Sequence, residues 1–205
     1  MDSYTTIQGS ATAEIVEKKS RFIASVCHVE TEEEALAFLE KIRAENRMAR
    51  HNVYAYVLRN GRVRYSDDGE PQKTAGLPTL EVIQHAELTD VIVVVTRYFG
   101  GILLGTGGLV RAYTQATQKG LEAAEKVTIS RCVDITLTLA YSLYEQATRL
   151  AGDINAKIID TSFTDEVTLT LRMLAGTEDA FTSKITELCR GNERLTISDA
   201  FDAPF

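Results

Sequence analysis

Hydrophobic and polar residues alternate near the start of the chain, and the alternation predicts two strands, at Ala13–Val16 and Phe22–Val26. A capping box follows at Thr31–Glu34, where the hydroxyl of the first residue and the carboxylate of the last can satisfy backbone amides of a helix start. Apolar residues every three or four positions then predict a helix that ends near Glu45.

The pattern of residues 53–86 predicts a hairpin, then a turn and a short helix. Strands are predicted at Val53–Leu58 and Arg62–Ser66, on either side of Asn60-Gly61, a dipeptide that strongly favours a hairpin. The acidic run before Pro71 predicts a turn, and a short helix is expected around 78–86, with a proline tolerated in its first turn.

The most apolar segment of the chain leads into its most glycine-rich one. The β-branched run Val91–Val95 predicts a strand that is buried on both faces. Five glycines then occur within residues 100–108, and a long helix is expected to follow them and to end near Glu125.

The order of predicted elements changes near residue 130. The second half reads as strand, helix, strand, strand, helix and strand, at Val133–Leu139, Ser142–Ala151, Ala156–Thr161, Val167–Met173, Glu178–Arg190 and Leu195–Phe201. This βαββαβ order is that of ferredoxin-like domains. We therefore predict an α+β protein with an N-terminal α+β domain at 1–130 and a ferredoxin-like C-terminal domain at 131–205.

Composition narrows the class of protein without identifying it. A hydrophobic content of 44% is typical of globular chains and argues against disorder. The chain lacks a run of about 18 apolar residues, so no membrane span is expected, and its N-terminus does not resemble a secretory signal. Three widely spaced cysteines form neither a disulfide framework nor a zinc motif. A cytoplasmic protein without a cofactor is expected.

Charge is unevenly distributed along this acidic chain, whose net charge is −7. Between Lys41 and Arg64 there are seven basic residues and a single acid, Glu45. Such a stretch is either a nucleic-acid-binding surface or a solvated face. The candidates for nucleic-acid contact lie in this basic stretch, with one lysine after it: Arg47, Arg50, Arg59, Arg62, Arg64 and Lys73.

The glycine-rich segment is a candidate anion site. Its amides carry no bulky neighbouring side chains, and the positive end of a helix dipole attracts phosphate. Neither a P-loop nor a dinucleotide fingerprint fits, because Thr106 and Val110 stand where lysine and a small residue are required. We expect a phosphate at the amides of Thr106, Gly107 and Gly108, with Arg97 or Arg111 nearby. Two alternatives stay open: the glycines serve packing alone, or Thr106 is itself the N-cap.

Two further features have more than one interpretation. Arg97 ends a buried strand, so it either contacts phosphate or pairs with an acid such as Asp67, Asp68 or Glu70. Those acids could hold Mg²⁺, but acids beside glycine and proline are also usual turn formers. The sequence shows no assembled catalytic constellation.

Three blocks of residues together resemble the IMPACT/YigZ family. They are Lys18–Phe22, then Tyr65–Pro71 with Thr74-Ala75-Gly76, then Val93–Tyr113. The likeness covers roughly residues 13–125, and the layout of the whole chain is similar to that of the bacterial two-domain members. One departure is Gln72-Lys73, where a small residue and glycine are expected before Thr74.

The resemblance implies an N-terminal domain of the kind found in ribosomal proteins, ribonuclease P protein and elongation factors, and a C-terminal domain like those of elongation factor G. Eukaryotic relatives regulate translation through protein contacts. We therefore expect a non-enzymatic protein that binds RNA or the ribosome and modulates translation. The alternatives are an enzyme acting on a phosphorylated small molecule at the glycine-rich loop, and a regulatory module that binds a protein partner.

Overall fold

Five strands of the first half pair into one antiparallel sheet in the computed structural model, which describes residues 3–205. Its elements are β1 (Tyr4–Ile7), β2 (Ser10–Glu17), β3 (Ser20–His28), α1 (Glu32–Glu45), β4 (His51–Val57), β5 (Val63–Ser66), α2 (Gly76–His85), β6 (Val91–Tyr98) and α3 (Gly105–Ala123). Five of the strands form the sheet in the order β2-β3-β6-β4-β5, and every neighbouring pair is antiparallel.

The central strand β6 is buried on both faces, as its β-branched sequence predicts. Val91, Val93 and Val95 belong to the apolar core that includes residues of α2 and α3. Ile92 and Val94 belong to a second core formed with α1. Since successive side chains of a strand point to opposite faces, the sheet has α2 and α3 on one face and α1 on the other.

The second half forms the ferredoxin-like arrangement that the sequence predicts. Its elements are β7 (Lys126–Leu139), a 3-10 turn (Tyr141–Leu143), α4 (Tyr144–Asp153), β8 (Lys157–Phe163), β9 (Val167–Leu174), α5 (Glu178–Cys189), β10 (Arg194–Ile197) and β11 (Phe201–Pro204). The strand order is β10-β7-β9-β8, β11 is an addition that pairs with the first part of β7, and β1 also pairs with β7.

The chain divides into two compact units between Val127 and Thr128, inside strand β7. The boundary expected after residue 130 falls in the same strand. Each unit has its own apolar core, and no helix within residues 3–205 is long and apolar enough to cross a membrane.

The start of α1 shows the expected capping box with one change. The Glu34 amide donates to the Thr31 hydroxyl at 3.1 Å, as predicted. The Glu34 carboxylate accepts from the amide of Glu30, at 2.7 Å, one residue before the expected partner. Both backbone donors are thereby satisfied at the point where the chain enters the helix.

Candidate functional site

A buried ion pair lies at the centre of the residues that carry the family resemblance. Arg97 Nη1 donates to Glu70 Oε1 at 2.7 Å, and the Tyr113 hydroxyl donates to the same oxygen at 2.8 Å. The side chains of Arg97 and Glu70 are only 8% and 4% exposed. Of the two interpretations of Arg97, the structure shows the ion pair, with Glu70 as the acid.

Aromatic rings enclose this ion pair. The Arg97 guanidinium carbon lies 5.4 Å from the ring centre of Phe22 and 5.5 Å from that of Phe99, within the range of cation–π contacts. Burial raises the pKa of Tyr113, and the neighbouring Glu70 carboxylate raises it further. Tyr113 is therefore a neutral hydrogen-bond donor to Glu70.

The acidic turn organises the start of α2. Oxygens of the Asp67 carboxylate accept from the amides of Lys73 at 2.9 Å, Ala75 at 3.1 Å and Gly76 at 2.8 Å. The N-cap residue Ala75 offers no side-chain acceptor of its own. Asp67 thus supplies the missing cap, and its negative charge is favourable at a helix N-terminus.

The second acid of the turn fastens it to β4 and α1. Asp68 accepts from the amide of Asn52 at 2.6 Å and pairs with Arg43 at 3.2 Å. The carboxylates of Asp67, Asp68 and Glu70 therefore serve separate structural contacts. Within the described residues 3–205, no three metal-ligating side chains lie together.

Close contact joins the first and third sequence blocks. A Cβ at Gly100 would lie 2.0 Å from the carbonyl carbon of Lys19, which no side chain could tolerate. The Gly100 amide also donates to the hydroxyl of buried Ser20 at 3.1 Å. Packing therefore explains this glycine.

The N-terminus of α3 differs from the sequence prediction in a way that bears on anion binding. The helix begins at Gly105, with Leu104 as N-cap, and among residues 3–205 no side chain makes a capping hydrogen bond at its start. Thr106 lies inside that turn, so the prediction of Thr106 as N-cap is wrong. A Cβ at Gly107 would meet only the Arg111 guanidinium, at 3.7 Å. Neither packing nor backbone strain requires glycine there.

A small groove of about 130 Å³ adjoins this helix start. Gly108, Arg111 and Lys18 line it, together with Glu17, Leu104, Ala112 and Gln115. Lys18 was not predicted for this site, and its place in the first block was the only signal for it. The groove therefore contains two cationic side chains, Lys18 and Arg111, beside the first turn of α3.

Arg97 is separated from the rest of the predicted anion set. It lines a different groove, of about 380 Å³, together with Met48, Arg50, Tyr98 and Phe99. Of the two arginines named for the anion site, Arg111 lines the groove at α3, whereas Arg97 donates through Nη1 to Glu70 and lines the other groove.

Two arginines of the basic stretch share one acid. Glu32 accepts from Arg62 at 2.8 Å, from Arg64 at 3.0 Å and from the Tyr56 hydroxyl at 2.8 Å. The hydrogen bond from Tyr56, followed by that from Arg64, lowers the pKa of Glu32. Because one carboxylate faces two guanidinium groups, an excess of positive charge remains.

The other predicted basic residues lie in differing surroundings. The Arg59 guanidinium lies 4.6 Å from the ring centre of Tyr4. Arg47 is exposed and donates to the carbonyl of Ala44 at 3.2 Å. The side chains of Arg47, Arg50 and Lys73 are exposed and form no ion pair with an acid in the described part of the chain.

Comparison with known proteins places these features in a family. Residues 18–121 match the Impact N-terminal domain, and residues 137–192 match a domain of unknown function, DUF1949. An IMPACT family member of Haemophilus influenzae is 37% identical over 96% of this chain and 97% of its own length. YvyE, an IMPACT family member of Bacillus subtilis, is 48% identical, over 59% of this chain and 57% of its own.

One solved structure extends the likeness to the fold. It is titled the crystal structure of a hypothetical protein, and it is 34% identical to this chain with a TM-score of 0.63. The match covers 95% of this chain and 97% of that one. With both domain families matched in order, the chain belongs to the IMPACT family and has the two-domain layout of its bacterial YigZ-type members.

Proposed function

We propose that this protein binds RNA, free or on the ribosome, and thereby regulates translation in the cytoplasm without acting as an enzyme. Membership in the IMPACT family supports the regulatory part of the proposal. The observation that carries the binding part is the uncapped N-terminus of α3, whose groove also contains Arg111 and Lys18.

A phosphate group suits this groove on two grounds. Of Thr106, Gly107 and Gly108, the last lines the groove, and all three lie in a first turn that no side chain among residues 3–205 caps; a helix N-terminus favours an anion. Arginine and lysine add positive charge, and the arginine fork can bind two phosphate oxygens at once.

Cations elsewhere in the same unit would extend the contact to a longer strand. Arg47, Arg50 and Lys73 are exposed, and Arg62 with Arg64 retains excess charge. An RNA strand presents a phosphate at every nucleotide, so several weak contacts add up to useful affinity. Arg59 lies in the basic stretch between Lys41 and Arg64 and belongs to the same proposed surface.

The experiment begins by identifying the RNA. The purified full-length protein is cross-linked to total RNA and the recovered RNA is sequenced, while sedimentation with purified ribosomes measures association. The affinity for the recovered RNA is then measured by fluorescence anisotropy across a range of salt concentrations. A steep decrease of log affinity with log salt is expected, because several phosphate contacts release several counterions.

Variants test the proposed groove directly. Arg111→Gln should weaken binding and flatten the salt slope by about one unit for the lost phosphate contact. Gly107→Val should crowd the amides while the fold is kept, and Arg149→Gln, an exposed arginine of the other unit, should change neither quantity. Absence of both RNA recovery and ribosome association would contradict the proposal. A shallow slope with tight binding of a phosphorylated metabolite would favour the enzyme alternative.

A further inference from the structure

The groove at the end of β6 combines exposed apolar side chains with arginine charge. Met48 and Phe99, which line it with Arg50 and Arg97, are 88% and 54% exposed. Large apolar side chains are usually covered in a folded protein, so exposed ones that cluster beside cations point to a binding surface.

The hydrogen bonding of Arg97 adds a second, independent observation. Its Nε atom is buried and has no hydrogen-bond partner among residues 3–205, although Nη1 is held by Glu70. A buried donor without an acceptor costs free energy. Arg97 therefore has an unused donor on a guanidinium whose carbon lies 5.5 Å from the ring centre of Phe99.

The net charge of the groove is positive. Glu70 offsets the charge of Arg97, but Arg50 forms no ion pair with an acid in the part of the chain that the structure describes. A ligand that fits must therefore offer a negative charge, a flat surface for the ring of Phe99 and apolar contact for Met48. Of common biological groups, a nucleotide combines all three.

We propose that this groove binds one unstacked nucleotide of a single-stranded RNA. Its base stacks on Phe99 and contacts the Met48 thioether, and its phosphate meets Arg50. Arg97 is a positioning residue: its guanidinium lies 5.5 Å from the Phe99 ring centre and limits the orientations of that ring. This inference rests on the proposed RNA-binding function and specifies which form of RNA is bound.

Single-stranded RNA is favoured over a duplex for a geometric reason. Bases inside a duplex are stacked on each other, and the deep, narrow major groove of A-form RNA keeps side chains away from them. A half-exposed phenylalanine at a strand end can reach a base only where the strand is unpaired. The α3 groove, by contrast, contacts phosphate alone and does not distinguish the two forms.

The test compares two probes on the full-length protein by fluorescence anisotropy: a labelled 12-nucleotide oligouridylate and a 12-base-pair RNA duplex. Phe99→Ala should weaken binding of the single strand about tenfold, as expected for the loss of one stacked base, and leave duplex binding unchanged. Phe99→Tyr should bind within about twofold of the original protein, because stacking is retained. Phe163→Ala is the matched control, since Phe163 is exposed to a similar degree, 56%, in the other unit.

A second readout does not depend on affinity. Oligouridylate carrying 5-iodouridine is cross-linked by ultraviolet light, and the modified peptide is mapped by mass spectrometry. Cross-links on Phe99 or Met48 support the proposal. Arg50→Gln, a change of an exposed side chain that leaves the core intact, should weaken single-strand binding and reduce cross-linking at Phe99.

The outcomes separate this inference from the proposed function. If the protein binds RNA and Phe99→Ala binds the single strand as tightly as before, the groove proposal is overturned and the proposed function stands. Cross-links confined to residues 128–205 overturn it as well. If the protein binds neither RNA probe and no recovered RNA, both proposals are overturned together.

Discussion

The Glu70 carboxylate is the residue on which the motif-bearing region depends most. It accepts hydrogen bonds from both Arg97 and Tyr113 through one oxygen, in a setting where all three side chains are buried. Removing one partner of a buried ion pair leaves the other charge without compensation. The cost of that unpaired charge far exceeds the contribution of a surface ion pair.

We expect Glu70→Gln to lower the free energy of unfolding by about 3 kcal/mol, because Arg97 would remain buried without its counter-charge. Urea unfolding of the full chain, followed by far-ultraviolet circular dichroism, measures the change. The matched control is Glu122→Gln, which breaks the exposed pair with Lys119 and should cost less than about 1 kcal/mol. Equal stabilities of the two variants would contradict the structural role of Glu70.

Individual partners were harder to predict than residue types. The sequence left Arg97 with two interpretations and three candidate acids, because the choice depends on where the turn before α2 lies relative to β6. The capping role of Asp67 was missed because its three amide donors lie six to nine residues further along the chain. Local patterns such as Thr31–Glu34 span only four residues and can therefore be recognised from the sequence.

Among the elements, strands and most helices follow from hydrophobic periodicity, and the start of α3 does not. Glycine is a poor helix former, and the long helix was expected to follow the glycine-rich segment, yet the glycines at 105, 107 and 108 form its first turn. Burial of Leu109, Ala112 and Tyr113 against the sheet supplies what local propensity lacks. The residues of the proposed site at this helix start could be named from the sequence, but their arrangement in the first helical turn could not be predicted.

Glu32 connects three elements: it lies in the first turn of α1, and it accepts from Tyr56 of β4 and Arg64 of β5. These contacts lower its pKa in the folded protein. A carboxylate whose pKa is lower in the folded than in the unfolded protein stabilises the fold at pH values above the unfolded pKa, which is near 4.5. This stabilisation is lost as the pH falls through the pKa of the folded protein.

We therefore expect Glu32→Gln to lower the melting temperature at pH 7, and we expect the difference from the original protein to shrink as the pH falls below 4.5. Thermal melts of both proteins between about pH 3 and pH 7, the range in which carboxylates titrate, measure this difference in melting temperature. The control is Glu33→Gln, a change of the exposed neighbour in the same turn. If the difference in melting temperature stays constant across this pH range, the Glu32→Gln variant has lost stability through packing and not through the charge of Glu32.

At the scale of the whole molecule, the buried apolar residues fall into separate cores. Those of the first unit lie between Ile7 and Leu121, on the two faces of its sheet. Those of the second lie between Val133 and Cys189. A unit with its own core can fold alone, and the chain order of elements was sufficient to predict two such units.

We expect fragments 1–127 and 128–205 each to unfold cooperatively. The cut is placed at the division between the units because β11 pairs with Ile129–Cys132, and a cut after residue 130 would remove partners of Ala203 and Pro204. Thermal melts followed by circular dichroism should be sigmoidal for both fragments, with midpoints at or below those of the full chain. Fragment 156–205 is the control: it lacks β7, the strand that pairs with β9, β10 and β11, so its melt should be gradual. Gradual melts of both unit fragments would mean that the two halves fold only as one.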